Sequence, residues 1–155
     1  MGEIHAAAWE AAYSPFFEPE FARRAVNERR TRWQKRIADE AGTILVADLD
    51  NRPAALSFFL SSGARPGYAE IYSFYCHPES WGSGLALALM AETLREASDQ
   101  RFARIHLWTL RDTARSRRFY AKCGFSESGA VRAHDFGDGN PLEQVEYERA
   151  TVNGD

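Results

Sequence analysis

Cysteine is scarce in this chain. Cys76 and Cys123 form neither a disulfide framework nor a metal-ligand spacing, and the histidines do not cluster in sequence, so no metal is expected. A reducing cytoplasm is the default compartment. Long apolar runs are missing too. The densest, Leu85 to Ala91, is far too short to cross a bilayer. The opening Met1-Gly2-Glu3-Ile4-His5 has no basic region leading into an apolar one, so no signal peptide is expected. Positive charge is not in excess: the formal net charge of −3 gives no global field for nucleic acid or anionic lipid, and neither partner is expected. Repeats, linkers and low-complexity tracts are absent. What remains, 155 residues with 45% hydrophobic and 26% charged content, fits one globular domain over residues 1–155.

Periodicity divides the chain into elements. Ile4 to Tyr13 carries apolar residues at helical spacing, and Ser14-Pro15-Phe16-Phe17 breaks it. A second helix is expected from Pro19 to Ala41, with Phe21, Ala25, Val26, Trp33 and Ile37 as its apolar stripe and Gly42 closing it. Strands are expected at Thr43–Leu49, Ala54–Ser61 and Ala69–Cys76, with a turn at Asp50-Asn51-Arg52-Pro53. A helix over Gly84–Ser98, a strand over Arg104–Leu110 and a helix over Ala114–Lys122 follow. Strands at Ser126–His134 and Leu142–Arg149 close the chain around a loop at Gly137–Pro141. Strands alternating with helices on the C-terminal side make an α/β fold, a mixed β-sheet with helices on both faces.

The sharpest local feature is His77-Pro78-Glu79-Ser80-Trp81-Gly82-Ser83-Gly84-Leu85-Ala86, which follows a strand and opens a helix. Glycines permit a tight turn and remove Cβ atoms that would block a ligand. A helix start points unpaired N–H groups outward with positive dipole character, so the segment can hold a phosphate or pyrophosphate. The alternative is a turn that needs glycine for geometry alone. No Gly-Lys-Ser/Thr follows, which excludes a Walker A loop, and the third glycine of a dinucleotide fingerprint is missing.

The span Trp81 to Ala86 resembles the acyl-CoA loop of the GNAT superfamily of N-acetyltransferases, Gln/Arg-x-x-Gly-x-Gly/Ala, with Trp81 where the family usually has Gln or Arg. About thirty residues on, Leu107 to Phe125 resembles the family's other hallmark. Phe119-Tyr120 and Gly124-Phe125 match it, Thr113 stands where Asn is typical, and Ser116 where Ala is. The family fold usually opens with a strand; here Ile4 already reads as helix, so that strand is expected to be absent or truncated, leaving Thr43–Leu49 exposed at the outer edge of the sheet. The resemblance implies acetyl-CoA as co-substrate. It would be held by backbone groups of Tyr75 and Cys76 at the pantetheine arm, by Trp81, Gly82, Ser83, Gly84, Leu85 and Ala86 at the pyrophosphate, and by Thr113 and Arg117.

Acyl transfer to an amine needs a neutral nucleophile. A lysine-like amine, with a pKa of about 10.4, is neutral in roughly one molecule per thousand at pH 7, so a base or a water relay must take its proton. By the same resemblance Tyr120 is the candidate acid for the leaving thiolate and Glu70 the candidate base. The alternatives are a helix aromatic packed on the sheet and an exposed strand-end glutamate. Cys76 has no partner pattern for a nucleophile and reads as a small buried residue. The acceptor pocket is expected between the Ser14–Pro19 and Phe136–Pro141 loops. Phe16, Phe17 and Phe136 would form its apolar wall, and Asp135 or Asp138 would attract a cationic amine; alternatively these are loop-packing aromatics and solvated carboxylates. His134 is placed near the same loop.

The acceptor is expected to be a small-molecule amine or amino acid, with a peptide or protein amine as the alternative, and a homodimer is allowed. A CoA-binding module without catalysis is the reading outside enzymes. Nucleic-acid binding through Arg23, Arg24, Arg29, Arg30, Arg32, Lys35 and Arg36 is the remaining one, set against the acidic residues in the same stretch, which make it a solvated helix face.

Overall fold

The structure is a computed structural model that describes residues 1–38 and 42–152. Helices α1 (Gly2–Tyr13), α2 (Pro19–Thr31) and α3 (Trp33–Ala38) come first, followed by β1 (Thr43–Leu49), β2 (Arg52–Ser61) and β3 (Tyr68–Cys76). Then come α4 (Leu85–Asp99), β4 (Arg104–Leu110), α5 (Ala114–Lys122), β5 (Ser126–His134) and β6 (Leu142–Ala150). The strands form one six-stranded sheet in the order β1-β2-β3-β4-β6-β5. It is mixed: β3 and β4 run parallel, joined through α4, while β1/β2, β4/β6 and β5/β6 are antiparallel. As expected, β1 takes an edge of the sheet and α1 opens the chain.

By its internal contacts the chain divides into two compact units, Met1–Leu60 with Ser73–Thr93, and Ser61–Tyr72 with Leu94–Asp155. In the first, Ile4, Trp33, Leu56 and Phe58 form a buried cluster against which Met1, Ile44, Leu60 and Tyr75 pack. Six consecutive residues of β2, Ala54 to Phe59, are buried, the mark of a strand covered on both faces. Trp9 stacks on Phe17 with ring centroids 5.3 Å apart, and Phe17 meets Phe21 at 5.2 Å. Phe17 is therefore a core residue rather than a pocket wall. In the second unit Ile105, Leu107, Leu110, Phe125, Val145 and Tyr147 are buried.

Three details differ from expectation. The helix expected over Pro19–Ala41 is two helices separated at Arg32, and residues 39–41 lie outside the described ones. The Thr31 hydroxyl donates to the Glu28 carbonyl at 3.2 Å and competes with the helix's own pairing there. Gly42 serves close approach: a Cβ there would stand 2.6 Å from the Phe59 carbonyl oxygen. The β1–β2 turn is tighter than expected, made by Asp50 and Asn51 with φ of 52° and 59°, so Arg52 and Pro53 belong to β2. In β5 the pairing with β6 shifts register between Glu127 and Val131, and every residue of the strand is exposed.

Candidate active site

In the first unit, β3 runs out at Cys76 and a short 3-10 turn, Pro78–Ser80, leads to the glycine turn. The His77 N–H donates to the Ala54 carbonyl at 2.7 Å, and the Ser80 hydroxyl donates to the His77 carbonyl at 2.7 Å. These bonds fix where the strand ends. The Trp81 indole N–H donates to the Cys76 carbonyl at 2.9 Å, and Cys76 Sγ lies 3.1 Å from Ser80 Oγ. Trp81 thus clips the turn back onto the strand end. One lone pair of the Cys76 carbonyl is thereby occupied.

Gly82 and Gly84 have φ of 82° and 86°, and a Cβ at either would meet nothing within 4 Å. Here glycine is required by backbone conformation, and the space over the turn is open to a ligand. Ser83 Oγ donates to the Ser80 carbonyl at 2.6 Å and accepts from the Leu85 N–H at 3.3 Å, capping the start of α4. Leu85 and Ala86 lie in the first turn of this fifteen-residue helix, where backbone N–H groups have no intrahelical acceptor. A pyrophosphate fits such a cradle by hydrogen bonds from the main chain alone.

In the second unit, parallel register sets Glu70 of β3 opposite His106 of β4. Glu70 is only 7% exposed, which removes the alternative of an exposed strand-end glutamate. Glu70 Oε2 stands 3.6 Å from His106 Nε2, and the Tyr72 hydroxyl hydrogen-bonds to the same carboxyl group. His106 is 1% exposed. Its Nε2 lies 2.8 Å from Ser62 Oγ, and its Nδ1 lies 2.7 Å from Glu146 Oε1. Burial acts to raise the pKa of Glu146. The Ser128 hydrogen bond and the charges of Arg65 and His106 outweigh it and hold Glu146 below the usual carboxylate range. Arg65 also reaches Glu146 at 3.1 Å and Glu148 at 2.5 Å, and Arg104 reaches Glu148 at 3.1 Å. A buried imidazole therefore stands between two carboxylates, one of which is anchored by an arginine, and its Nε2 hydrogen bond goes to Ser62 rather than to Glu70.

Tyr120 is half-buried on α5, with its ring 6.0 Å from Phe125 and 6.1 Å from Tyr147. The buried Thr113 hydroxyl donates to the Leu110 carbonyl at 2.7 Å and lies 3.3 Å from Thr109 Oγ1. Arg117 donates to the Arg111 carbonyl at 3.1 Å and to the Tyr147 hydroxyl at 3.3 Å, and pairs with Glu127. Both side chains are engaged in holding α5 to β4, β5 and β6.

The expected acceptor loops are built differently. Asp135 Oδ1 accepts N–H groups from Gly137, Asp138 and Gly139. Those bonds hold its carboxyl below the usual range and commit it to shaping the loop. Phe136 packs edge-on against His134 at 4.5 Å. Burial pushes the Cys123 thiol up to about 11, so neutral pH finds it protonated. Among the described residues no group of three His, Cys, Asp or Glu side chains could hold a metal.

The sequence matches the family described as acetyltransferase (GNAT) family over residues 4–125, most of the chain. It belongs to that family. As a GNAT member it is an acetyl-CoA-dependent N-acetyltransferase. An uncharacterized N-acetyltransferase of Mycobacterium tuberculosis is 29% identical over 131 residues, covering 83% of each chain. Two solved structures share the fold. The PaiA N-acetyltransferase of Thermoplasma acidophilum in complex with coenzyme A has a TM-score of 0.72 at 17% identity, covering 96% of this chain and 89% of that one. A GNAT-family protein from Desulfovibrio desulfuricans has a TM-score of 0.71 at 21% identity, covering 95% and 91%.

Around Glu70 in this GNAT chain, His106, Glu146 and Ser62 are the neighbours that sequence reasoning missed. The alternation of Arg104–Leu110 does place His106 on the same face as Arg104 and Trp108. Its neighbour Glu146 lies forty positions further on in β6, diagonal to it because the register sets Glu148 directly opposite His106.

Proposed function

We propose that this GNAT chain acts as one catalytic domain. In this reading it transfers the acetyl group of acetyl-CoA to a primary amine, on a small molecule or amino acid, by direct attack in a ternary complex. The observation that carries the reading is the buried Glu70 carboxylate set between His106 Nε2 and the Tyr72 hydroxyl. Glu70 takes the proton of the attacking amine. The nitrogen–carbon bond forms, the carbon–sulfur bond breaks, and the Tyr120 hydroxyl supplies the proton that the leaving sulfur gains. Donors at the carbonyl oxygen lower the barrier as negative charge develops there.

The turn at Trp81, Gly82, Ser83 and Gly84, with Leu85 and Ala86 of α4, takes the CoA pyrophosphate. The backbone of Tyr75 and Cys76 takes the pantetheine arm. Thr113 and Arg117 act at one remove, by fixing the start of α5. Two free thiols fit a reducing compartment, and we assign the protein to the cytoplasm. Among the described residues, no helix is long and apolar enough to cross a membrane.

Thiol release from acetyl-CoA across a panel of amines, amino acids and peptides tests the reading. Direct attack predicts intersecting initial-rate lines when both substrates are varied and no acetylated enzyme. Parallel lines, or an acetyl group left on Cys76, overturn direct attack. Turnover with peptides only moves the acceptor to protein lysines or N-termini. CoA binding without turnover on any amine leaves a binding module.

A further inference from the structure

The arginine-rich stretch is a solvated face at Arg23, Arg24, Arg30, Arg32 and Lys35, as expected, but not at Arg29 and Arg36. Arg29 is only 7% exposed, and its guanidinium carbon lies 4.1 Å above the Trp9 ring. Arg36 is half-buried, 5.2 Å from the Trp33 ring and 5.1 Å from the Phe58 ring, and donates to Ser73 Oγ at 2.9 Å. Arg32, at the break between α2 and α3, lies between them in sequence, and its charge acts on both. Exposed Arg30 shows the contrast: it pairs with Glu3 at 3.1 Å. Among the described residues, Arg29, Arg32 and Arg36 form no ion pair, and the exposed Glu28 is the one carboxylate that acts on Arg29 at all.

Two further groups meet these cations. His5, 2% exposed, stacks on Tyr75 with ring centroids 4.1 Å apart. The Trp33 indole, a donor only, gives its N–H to His5 Nδ1 at 3.1 Å. The neutral ring therefore carries its proton on Nε2, and that buried N–H has no acceptor among the described residues. Arg29 Nε is a second buried donor without one. Burial first, then Arg29, Arg32 and Arg36, keep His5 neutral; burial also raises the pKa of the Tyr75 phenol, and the same three arginines offset only part of that rise. The Ala25 carbonyl accepts from Arg29 Nη1 at 2.7 Å and Ser73 Oγ from Arg36, but among the described residues the cluster holds more donors and cations than acceptors and no carboxylate. Partly buried like charges that no described carboxylate neutralises are costly, and each orphaned donor adds to the cost. An anion relieves both.

We propose that Arg29, Arg32 and Arg36, grouped about the stacked His5 and Tyr75, form a subsite for a carboxylate, so that the preferred acceptor is an amine bearing an acidic group. The inference rests on the acetyl-transfer reading for its second half only; the anion subsite stands without it. Guanidinium groups bind a carboxylate through paired, charge-assisted hydrogen bonds, a geometry that an amide cannot match.

The test has two arms. Thermal melts without acetyl-CoA compare N-acetylglycine, N-acetylglycinamide and inorganic phosphate at constant ionic strength. The carboxylate should raise Tm saturably, the amide should not, and Arg36→Gln or the exposed Arg32→Gln should remove the shift. Stabilisation by phosphate alone assigns the subsite to phosphoryl groups and overturns the carboxylate proposal. So does the absence of any saturable shift, or a shift that survives in both variants. The second arm compares kcat/KM for glycine and glycinamide. The acid-to-amide ratio should fall by about tenfold in either variant, intrinsic amine reactivity cancelling between the two proteins. An unchanged ratio overturns the acceptor assignment. Failure of every amine to react refutes acetyl transfer to these acceptors and leaves the melts to decide the subsite.

Discussion

Glu70 and His106 face each other across the parallel β3–β4 pair, with the carboxylate oxygen 3.6 Å from the imidazole Nε2. His106 touches Glu146 on its other side and is shut off from water, so the orientation of the imidazole is set from behind. A base supported in this way should show itself in a pH profile. Glu70→Gln should lower turnover most at moderate pH, with recovery as rising pH deprotonates the amine unaided. His106→Gln should act through Glu70, lowering kcat more than it raises KM and shifting the same limb of the profile. Turnover against pH for the three proteins is the measurement. Parallel curves would leave a water relay or another residue as the base.

Tyr120 should matter for chemistry more than for affinity. Tyr120→Phe keeps the ring among Phe119, Phe125 and Tyr147 and removes only the hydroxyl. Turnover should drop roughly 10²-fold, the low end for general acid catalysis, while the CoA dissociation constant stays near that of the unmodified protein. Unchanged turnover would return Tyr120 to packing.

Gly84 tests the phosphate cradle. With φ at 86° and open space around it, a side chain there meets backbone strain rather than a clash. Gly84→Ala should cost about 1–2 kcal/mol of stability. Gly84→Val should also abolish the rise in Tm that acetyl-CoA gives the unmodified protein, since a ligand bound only by the native state stabilises it. A folded Val variant with a full shift would place the pyrophosphate elsewhere.

His5 makes the fold sensitive to acid. Burial first, then Arg29, Arg32 and Arg36, lower its pKa to about 3 from 6.5. Between those values the unfolded chain binds a proton that the native state refuses. This contribution is therefore complete above pH 6.5 and is lost as pH falls towards 3, at about 1.4 kcal/mol per pH unit. His5→Asn keeps an oxygen for the Trp33 indole and removes the titration. Urea midpoints should fall more steeply in the unmodified protein than in the variant, by about 2 kcal/mol between pH 6.5 and 5. Equal losses would clear His5 of the acid sensitivity.

The elements were legible where local pattern decides them. Thr43–Leu49, Arg104–Leu110, Ala114–Lys122 and Ser126–His134 form over the residues that their periodicity and turn signals mark. The glycine turn was legible because positive φ leaves a residue-type trace. The division at Arg32 was not, because no glycine or proline marks it and sequence does not show the Thr31 hydroxyl turning to the Glu28 carbonyl. Arg29 and Arg36 read as surface charges because sequence does not reveal the aromatic rings that Trp9, Trp33 and Phe58 present to their guanidinium groups. Glu70 could be proposed through the family resemblance, by its place before the turn. Its imidazole and carboxylate neighbours could not, since they come from β4 and β6.

The shifted register of β5 bears on how the protein behaves in concentrated solution. A straight outer strand would offer an unbroken row of N–H and C=O groups to any extended chain that met it. Here residues 128–130 fall out of step with β6, and Gly129 has a φ of 89°, so the outer rim is bent and interrupted part-way along. Only short straight stretches remain on either side, poor templates for a foreign strand, and that side of the sheet resists growth into aggregates.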